Sequence, residues 1–285
     1  MEGRQGRARE AHARGGRADP GRRHGERQAD RPPLQVAVVT GASSGIGAAI
    51  ARALAQRGFR CVLVARREDR LRKLAEEIGG EVEVCDVSDR AAVDHAAAAV
   101  LARHPKIALL VCSAGIPGRK GFLEIEPERL ERLVATNYLG GVWCLRAFLP
   151  GLEAAGRADV VNIVSVAGTV AFPPSGPYSA SKHAQLAFSR ATAAELRPRG
   201  IRVHTINPGF VETEGFPQRG VLTSPLARAV IEPEEVAERV LRAIERDRFE
   251  SFVPGWYRVF ALAQALAPGL VGRLAGRSRY RGGRQ

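Results

Sequence analysis

Short apolar runs alternate along this chain with longer stretches in which apolar residues recur every three or four positions. The runs at 35–39, 60–65, 81–86, 107–112, 160–164, 201–206 and 251–253 read as strands. Helical spacing fills the intervals: from the turn at 40–47 to about residue 57, over 68–78, over 89–104, from about 127 to 149, from Tyr178 onward, and from 233 to about 246. Gly58 ends the first helix, and Pro127 and Pro233 suit first helical positions. Strands separated by helices require parallel pairing, because each crossover returns the chain to the same sheet edge. The pattern predicts one α/β domain: a Rossmann-like, doubly wound parallel sheet of about seven strands with helices on both faces.

The pattern is missing at the chain's beginning and changes at its end. Residues 1–33 carry Arg, Gly and Ala with almost no large apolar residue, so they cannot offset the entropy of ordering and read as a disordered basic extension. Residues 34–255 form the expected folded domain. Residues 256–285 are an apolar segment, broken by Pro268 and Gly269, followed by an arginine tail. No apolar h-region opens the chain, and no stretch of about eighteen uninterrupted apolar residues predicts a membrane span.

Charge changes this picture little. The formal net charge of the 285 residues is +13, which invites a nucleic-acid reading. However, residues 1–33 hold nine Arg against five acids, residues 273–285 hold five Arg and no acid, and only +4 is left for the whole body. No aromatic residue interleaves the N-terminal arginines, as a stacking platform for bases requires. Both observations argue against nucleic acid as a partner. The four cysteines, Cys61, Cys85, Cys112 and Cys144, are dispersed without a CxxC pair. They read as buried, reduced thiols of a cytoplasmic protein, with no metal or disulfide framework.

Candidate chemistry gathers around Tyr178-Ser179-Ala180-Ser181-Lys182. Residues four apart share a helix face, so Tyr178 and Lys182 project into one site. A fixed ammonium favours the charged phenolate and moves the phenol toward the acid/base range. Alone, the pair is read more readily as a half-buried tyrosine and a solvated lysine. Ser165 closes the apolar run at 160–164, which puts its hydroxyl at the carboxyl edge of the sheet, where open α/β folds bind ligands. Thr40-Gly41-Ala42-Ser43-Ser44-Gly45-Ile46-Gly47 lies between a strand and a helix. Glycines there allow a sharp turn and close approach of a pyrophosphate to the backbone, with helix-start amides facing the phosphates. The second strand is followed by Arg66 and Arg67 in place of an acid. An acid would bind a ribose 2′-hydroxyl, whereas arginine accommodates a 2′-phosphate, so NADP(H) is expected over NAD(H). Asn137 falls on an apolar helix face and by itself reads as a satisfied core amide.

Together these motifs resemble the short-chain dehydrogenase/reductase superfamily, from about residue 34 to residue 254. The resemblance rests on the glycine motif, on Ser165, Tyr178 and Lys182 at the family's spacing, and on Pro208-Gly209 after the sixth strand. It implies Tyr178 as acid/base, Lys182 as the group that lowers the phenol pKa and binds the nicotinamide ribose, Ser165 as the holder of the substrate oxygen, and Asn137 as the positioner of a relay water. It also implies that Gly41, Ser43, Ser44, Ile46 and Gly47 bind the cofactor, with Arg66 by the 2′-phosphate and Asp86 and Val87 by the adenine. Ser113, Ala114, Gly115, Pro208 and Gly209 would border the cofactor, and Val211 and Thr213 would touch the carboxamide. The family's Asn-Asn-Ala-Gly motif reads Cys112-Ser113-Ala114-Gly115 here, a departure that Ser113 partly compensates. The Gly-rich closing segment of the tetrameric oxoacyl-carrier-protein reductases is also missing, which argues against that substrate and that tetramer.

The expected activity is reversible hydride transfer between NADP(H) and a carbonyl or secondary alcohol, with no metal required. The loop 210–232 carries Phe210, Val211, Phe216, Val221 and Leu222, which suits a hydrophobic substrate. His183 points away from the Tyr178–Lys182 face and reads as structural or exposed. The alternative from another class is a non-catalytic NADP(H) sensor or scaffold on the same fold. Such a protein could dispense with the tyrosine and lysine that this chain keeps. The resemblance further implies a homodimer or homotetramer through the helices of Asn137 and Tyr178. The segment from 256 is expected to pack over the substrate pocket or a partner subunit, the alternative being peripheral contact with a membrane surface.

Overall fold

The computed structural model describes residues 35–171, 173–219 and 229–277. The expected disordered extension 1–33, Val221 and Leu222 of the loop, and the arginine tail from 278 lie outside the described residues. Seven strands form one sheet: β1 (Val36–Thr40), β2 (Arg60–Ala65), β3 (Glu81–Val84), β4 (Leu109–Cys112), β5 (Ala158–Ile163), β6 (Ile201–Pro208) and β7 (Glu250–Val253). Their order is β3-β2-β1-β4-β5-β6-β7, and every neighbouring pair is parallel.

The pleat explains why these runs are apolar throughout. In β1, Ala37 and Val39 point to one face and Val36 and Val38 to the other. The first face is covered by α1 (Gly45–Gln56), α2 (Glu68–Ile78) and α7 (Pro233–Glu245), through Ile50, Leu54, Leu71, Leu74, Val236 and Val240. The second is covered by α3 (Arg90–Arg103), α5 (Gly140–Ala154) and α6 (Gly176–Leu196), through Val93, Val100, Leu145, Phe148, Leu152 and Leu196. A strand buried on both faces needs no polar alternation, as expected for an all-parallel sheet.

Several boundaries differ from the sequence reading. The expected single helix over 127–149 is α4 (Pro127–Val134), a π-helical turn (Ala135–Leu139) and α5. The π turn inserts an extra residue into the helical repeat, and Asn137, 1% exposed, sits in it. β3 stops at Val84, so Cys85 and Asp86 leave the sheet toward its carboxyl edge. α6 begins at Gly176, just ahead of Tyr178, with Pro177 in its first turn.

The chain ends in a 3-10 turn (Gly255–Tyr257) and two helices, α8 (Arg258–Leu266) and α9 (Pro268–Arg277). These do not cover the cleft at the carboxyl edge of β1 and β4, contrary to one of the expected placements. α8 instead borders a second cavity with α6, α7 and β7. Among the described side chains of this segment only Tyr257 is buried, in a stack with Trp256 at a centroid distance of 4.2 Å. Among the described residues no helix is long and apolar enough to cross a membrane.

All four cysteines are buried and unpaired. Burial pushes the thiols of Cys61 and Cys112 up to about 12, that of Cys85 to about 11, and that of Cys144 well above its ordinary value.

Candidate active site

The strand order reverses direction between β1 and β4. At such a switch point the connecting helices diverge to opposite faces and leave a crevice at the carboxyl edge. Thr40 ties the two strand ends together. Its hydroxyl donates to Val111 O (3.2 Å) and accepts from the amides of Ser113 (3.1 Å) and Ala114 (3.2 Å). The turn that follows must be glycine: Gly41 has φ +69°, and a β-carbon there would lie 2.8 Å from the Ala114 backbone. Ser44 caps α1 without a side-chain hydrogen bond, so the first-turn amides are open to a ligand.

The crevice holds 430 Å³. Of the residues singled out in the sequence, Gly41, Ser43, Ser44, Ile46, Gly47, Arg66, Asp86, Val87, Ser113, Ala114, Gly115, Tyr178, Lys182 and Thr213 all line it. Pro208, Gly209 and Val211 do not. Val211 is 6% exposed and packs in the core beneath α7, where it bridges Ile231. Its position beside the carboxamide therefore does not follow from this structure. Thr213 does face the crevice, against Gly45.

Ser165 and Asn137 do not line the crevice, whereas Tyr178, Lys182 and Gly115 do. Ser165 lies beyond the end of β5; its hydroxyl accepts from the Ala167 amide (3.1 Å) and is near enough to Tyr178 to lower the phenol's pKa. The side chain of Asn137 is fully used. Its Oδ1 accepts from Ile116 N (2.7 Å), and its Nδ2 donates to Ile116 O (3.1 Å) and Ser181 Oγ (3.2 Å). The amide thus clamps the irregular segment after β4 to α6. A water positioned by Asn137 would have to use its main chain.

Lys182 is 5% exposed, and its ammonium donates to Ile163 O (3.2 Å) and Gln185 Oε1 (2.8 Å). Burial pulls its pKa down to about 7. Burial likewise pushes the Tyr178 phenol up to about 12, and nearby Ser165 acts the other way. The expectation of a phenol made more acidic by its lysine is corrected here. The ammonium is directed at Gln185 and Ile163, and a dry site disfavours both charged forms. Gln185 was not singled out in the sequence, although its i+3 spacing from Lys182 places it in reach. His183 is exposed, with Nδ1 2.8 Å from Ser179 O.

The two arginines after β2 separate. Arg66 leans on Asp86 (3.5 Å), whereas Arg67 crosses the glycine turn to Ser43 Oγ (3.0 Å) and Ser44 Oγ (2.6 Å). Arg70 binds Glu214 beside them (2.8 Å). Burial raises the Asp86 carboxyl, but hydrogen bonds from Ser88 N (3.0 Å) and Oγ (2.7 Å) and the charge of Arg66 hold it below its usual range. On the far side of Tyr178 the wall is apolar. Phe216 lies 6.1 Å from the Tyr178 ring, and Arg119 covers the outer face of Phe216 at 4.5 Å.

A nucleotide-type crevice, with a tyrosine–serine pair and a buried lysine at one end and arginines at the other, defines a dinucleotide-dependent oxidoreductase site. Comparison with known proteins agrees. Residues 35–220 match the short chain dehydrogenase family model, so the chain belongs to the short-chain dehydrogenase/reductase family. It is 34% identical over 258 residues to dehydrogenase/reductase SDR family member 7B of Xenopus laevis, covering 82% of this chain and 79% of that protein. An alcohol dehydrogenase of the archaeon Thermococcus sibiricus, complexed with 5-hydroxy-NADP, superposes with TM-score 0.69 at 33% identity, covering 77% of this chain and 95% of that one. A 3-ketoacyl-(acyl-carrier-protein) reductase of Brucella melitensis, complexed with NADH, gives TM-score 0.68 at 30% identity, covering 73% and 90%. The chain is an oxidoreductase of a family that binds nicotinamide cofactors.

Proposed function

We propose that this chain uses NADP(H) to interconvert a hydrophobic ketone or aldehyde and its alcohol, with Tyr178 as the acid/base. The observation that carries the reading is Tyr178 in the wall of a crevice, with Ser165 near enough to lower its pKa, while Arg67 holds Ser43 and Ser44 at the crevice's other end. The open amides of α1 and the close-packed turn at Gly41 fit a pyrophosphate. Arg67, with Arg66 beside it, fits a 2′-phosphate. When bound, the nicotinamide supplies the hydride for reduction and takes it back in oxidation.

Everything else falls to the chain. The hydroxyls of Ser165 and Tyr178 converge on the substrate oxygen and polarise the C=O bond. As hydride reaches the carbon, the O–H bond of Tyr178 breaks and its proton passes to the oxygen, giving the alcohol and a tyrosinate. Lys182, in the same wall, then serves as a proton source from which the tyrosinate is reprotonated. A pKa near 7 lets it give up or take a proton at neutral pH. Asn137 keeps the residues after β4 and α6 in register for this exchange. Phe216, Ile116 and Pro117 give the substrate end its apolar lining.

We take residues 34–255 as the catalytic domain and 256–285 as an appended segment. The four buried thiols support a reducing, cytoplasmic setting. The family resemblance favours pairing of copies through α5 and α6. The test of the central reading is NADPH oxidation with a panel of hydrophobic ketones and aldehydes. Tyr178→Phe should lower turnover by about 10²- to 10⁴-fold while NADPH fluorescence still reports binding. Turnover unchanged in that variant would reject Tyr178 as the acid.

A further inference from the structure

The face built by α8 and α9 is apolar and exposed. Trp256, Val259, Leu262, Leu266, Leu270 and Leu274 recur at helical spacing and are all exposed, Leu266 by 84%. Soluble helices put such a stripe toward a core; here it points outward. A contiguous exposed apolar patch of this kind marks a docking surface.

Charge selects what docks. From residue 251 to the end the sequence holds six arginines and no acid. Beneath α8 lies the second cavity, of 810 Å³, whose wall includes Arg239, Arg248 and Arg258. None of these three has a carboxylate within ion-pair distance among the described residues, and the buried Nε of Arg239 has no hydrogen-bond partner. The one acid in the wall, Glu250, is engaged by Arg190 (3.0 Å) and Asn207 (2.8 Å). The face therefore combines an apolar stripe with unpaired guanidinium groups. A second copy would bring arginines against arginines, and the chain's own segment 1–33 is itself basic.

We propose that α8 and α9 dock this enzyme on an anionic phospholipid surface, with the leucine stripe among the acyl chains and Arg239, Arg248 and Arg258 toward the lipid phosphates. The two helices are too short to span a bilayer, so they lie in its plane. Trp256 at the head of the stripe occupies the headgroup level, where indole rings concentrate. The docked face is pinned to the fold by Tyr257, whose ring lies so close over Gly209 that a β-carbon there would sit 2.4 Å from it.

The test uses the full chain and sucrose-loaded vesicles, of phosphatidylcholine alone or mixed equally with phosphatidylglycerol. The protein should pellet with the anionic vesicles at low salt, more weakly as salt rises, and far less with phosphatidylcholine alone. Arg248→Gln and Arg258→Gln should each weaken binding by about fivefold. Leu266→Glu combined with Leu270→Glu should weaken it at least about tenfold, with NADPH binding unchanged as the control for folding. As a measurement independent of variants, brominated acyl chains should quench Trp256 fluorescence. The proposal is overturned if the parent protein does not pellet at low salt, or if the leucine variant pellets as well as the parent. It is equally overturned if vesicles do not bind and the leucine variant instead dissociates an oligomer, which would make this face an interface between copies.

Discussion

Lys182 is the residue on which acid–base behaviour turns. An ammonium loses favour when it leaves water, and Lys182 is almost wholly enclosed, with a pKa of about 7 against about 10.4 for a free lysine. The folded pKa is the lower one, so between these values the unfolded chain holds a proton that the folded chain does not. Stability from this group therefore rises as pH climbs from about 7 to about 10.4 and is lost again as pH falls through 7. By pH 9 the gain is about 2–3 kcal/mol. Denaturant midpoints at pH 6 and pH 9 should show that rise in the parent protein, and Lys182→Met should flatten it. A slope that survives the substitution would place the titration elsewhere. Tyr178 gives the kinetic counterpart. A phenol near 12 stays protonated across the neutral range, so reduction should be nearly flat with pH, whereas alcohol oxidation, which needs the phenolate, should accelerate toward alkaline pH.

At the scale of elements, the start of α2 and the glycine turn before α1 act as one unit. Arg67 bridges them through Ser43 and Ser44, and Glu214, on the loop after β6, faces both Arg67 (4.0 Å) and Arg70. A phosphate entering here would compete with Glu214 for the guanidinium groups. Arg67→Ala should weaken NADPH binding by about ten- to a hundredfold and leave NADH nearly untouched, with a smaller effect for Arg66→Ala, whose partner is Asp86. Glu214→Gln should tighten NADPH binding. Titration of each variant by nicotinamide fluorescence separates these outcomes, and equal losses for both cofactors in Arg67→Ala would remove Arg67 from the phosphate site. The sequence reading put Arg66 at this corner, whereas the guanidinium that reaches the glycine turn is that of Arg67, because adjacent residues in a turn leave it in different directions. The π turn at Ala135–Leu139 was illegible for another reason: one inserted residue barely disturbs apolar periodicity over a long helix. The glycine turn and the Tyr178–Lys182 pair were legible because they need fixed residue types at fixed spacing.

At the scale of the whole molecule, the strand–helix alternation and the sheet's two-sided burial were readable from composition of the runs alone. The fate of the last helices was not. An apolar stripe announces that it will meet something, but periodicity carries no information about what, and α8 and α9 left it facing outward. The cysteines show the opposite case, in which burial settles behaviour. A thiol reacts as its thiolate, and all four thiols are enclosed with pKa values far above neutrality. An aromatic disulfide reagent should find no fast-reacting group in the native protein and all four after denaturation. The molecule thus offers a silent background for labelling: a cysteine introduced in place of Leu266 would be its single reactive handle, and a dye attached there would report, in one channel, whatever that face touches.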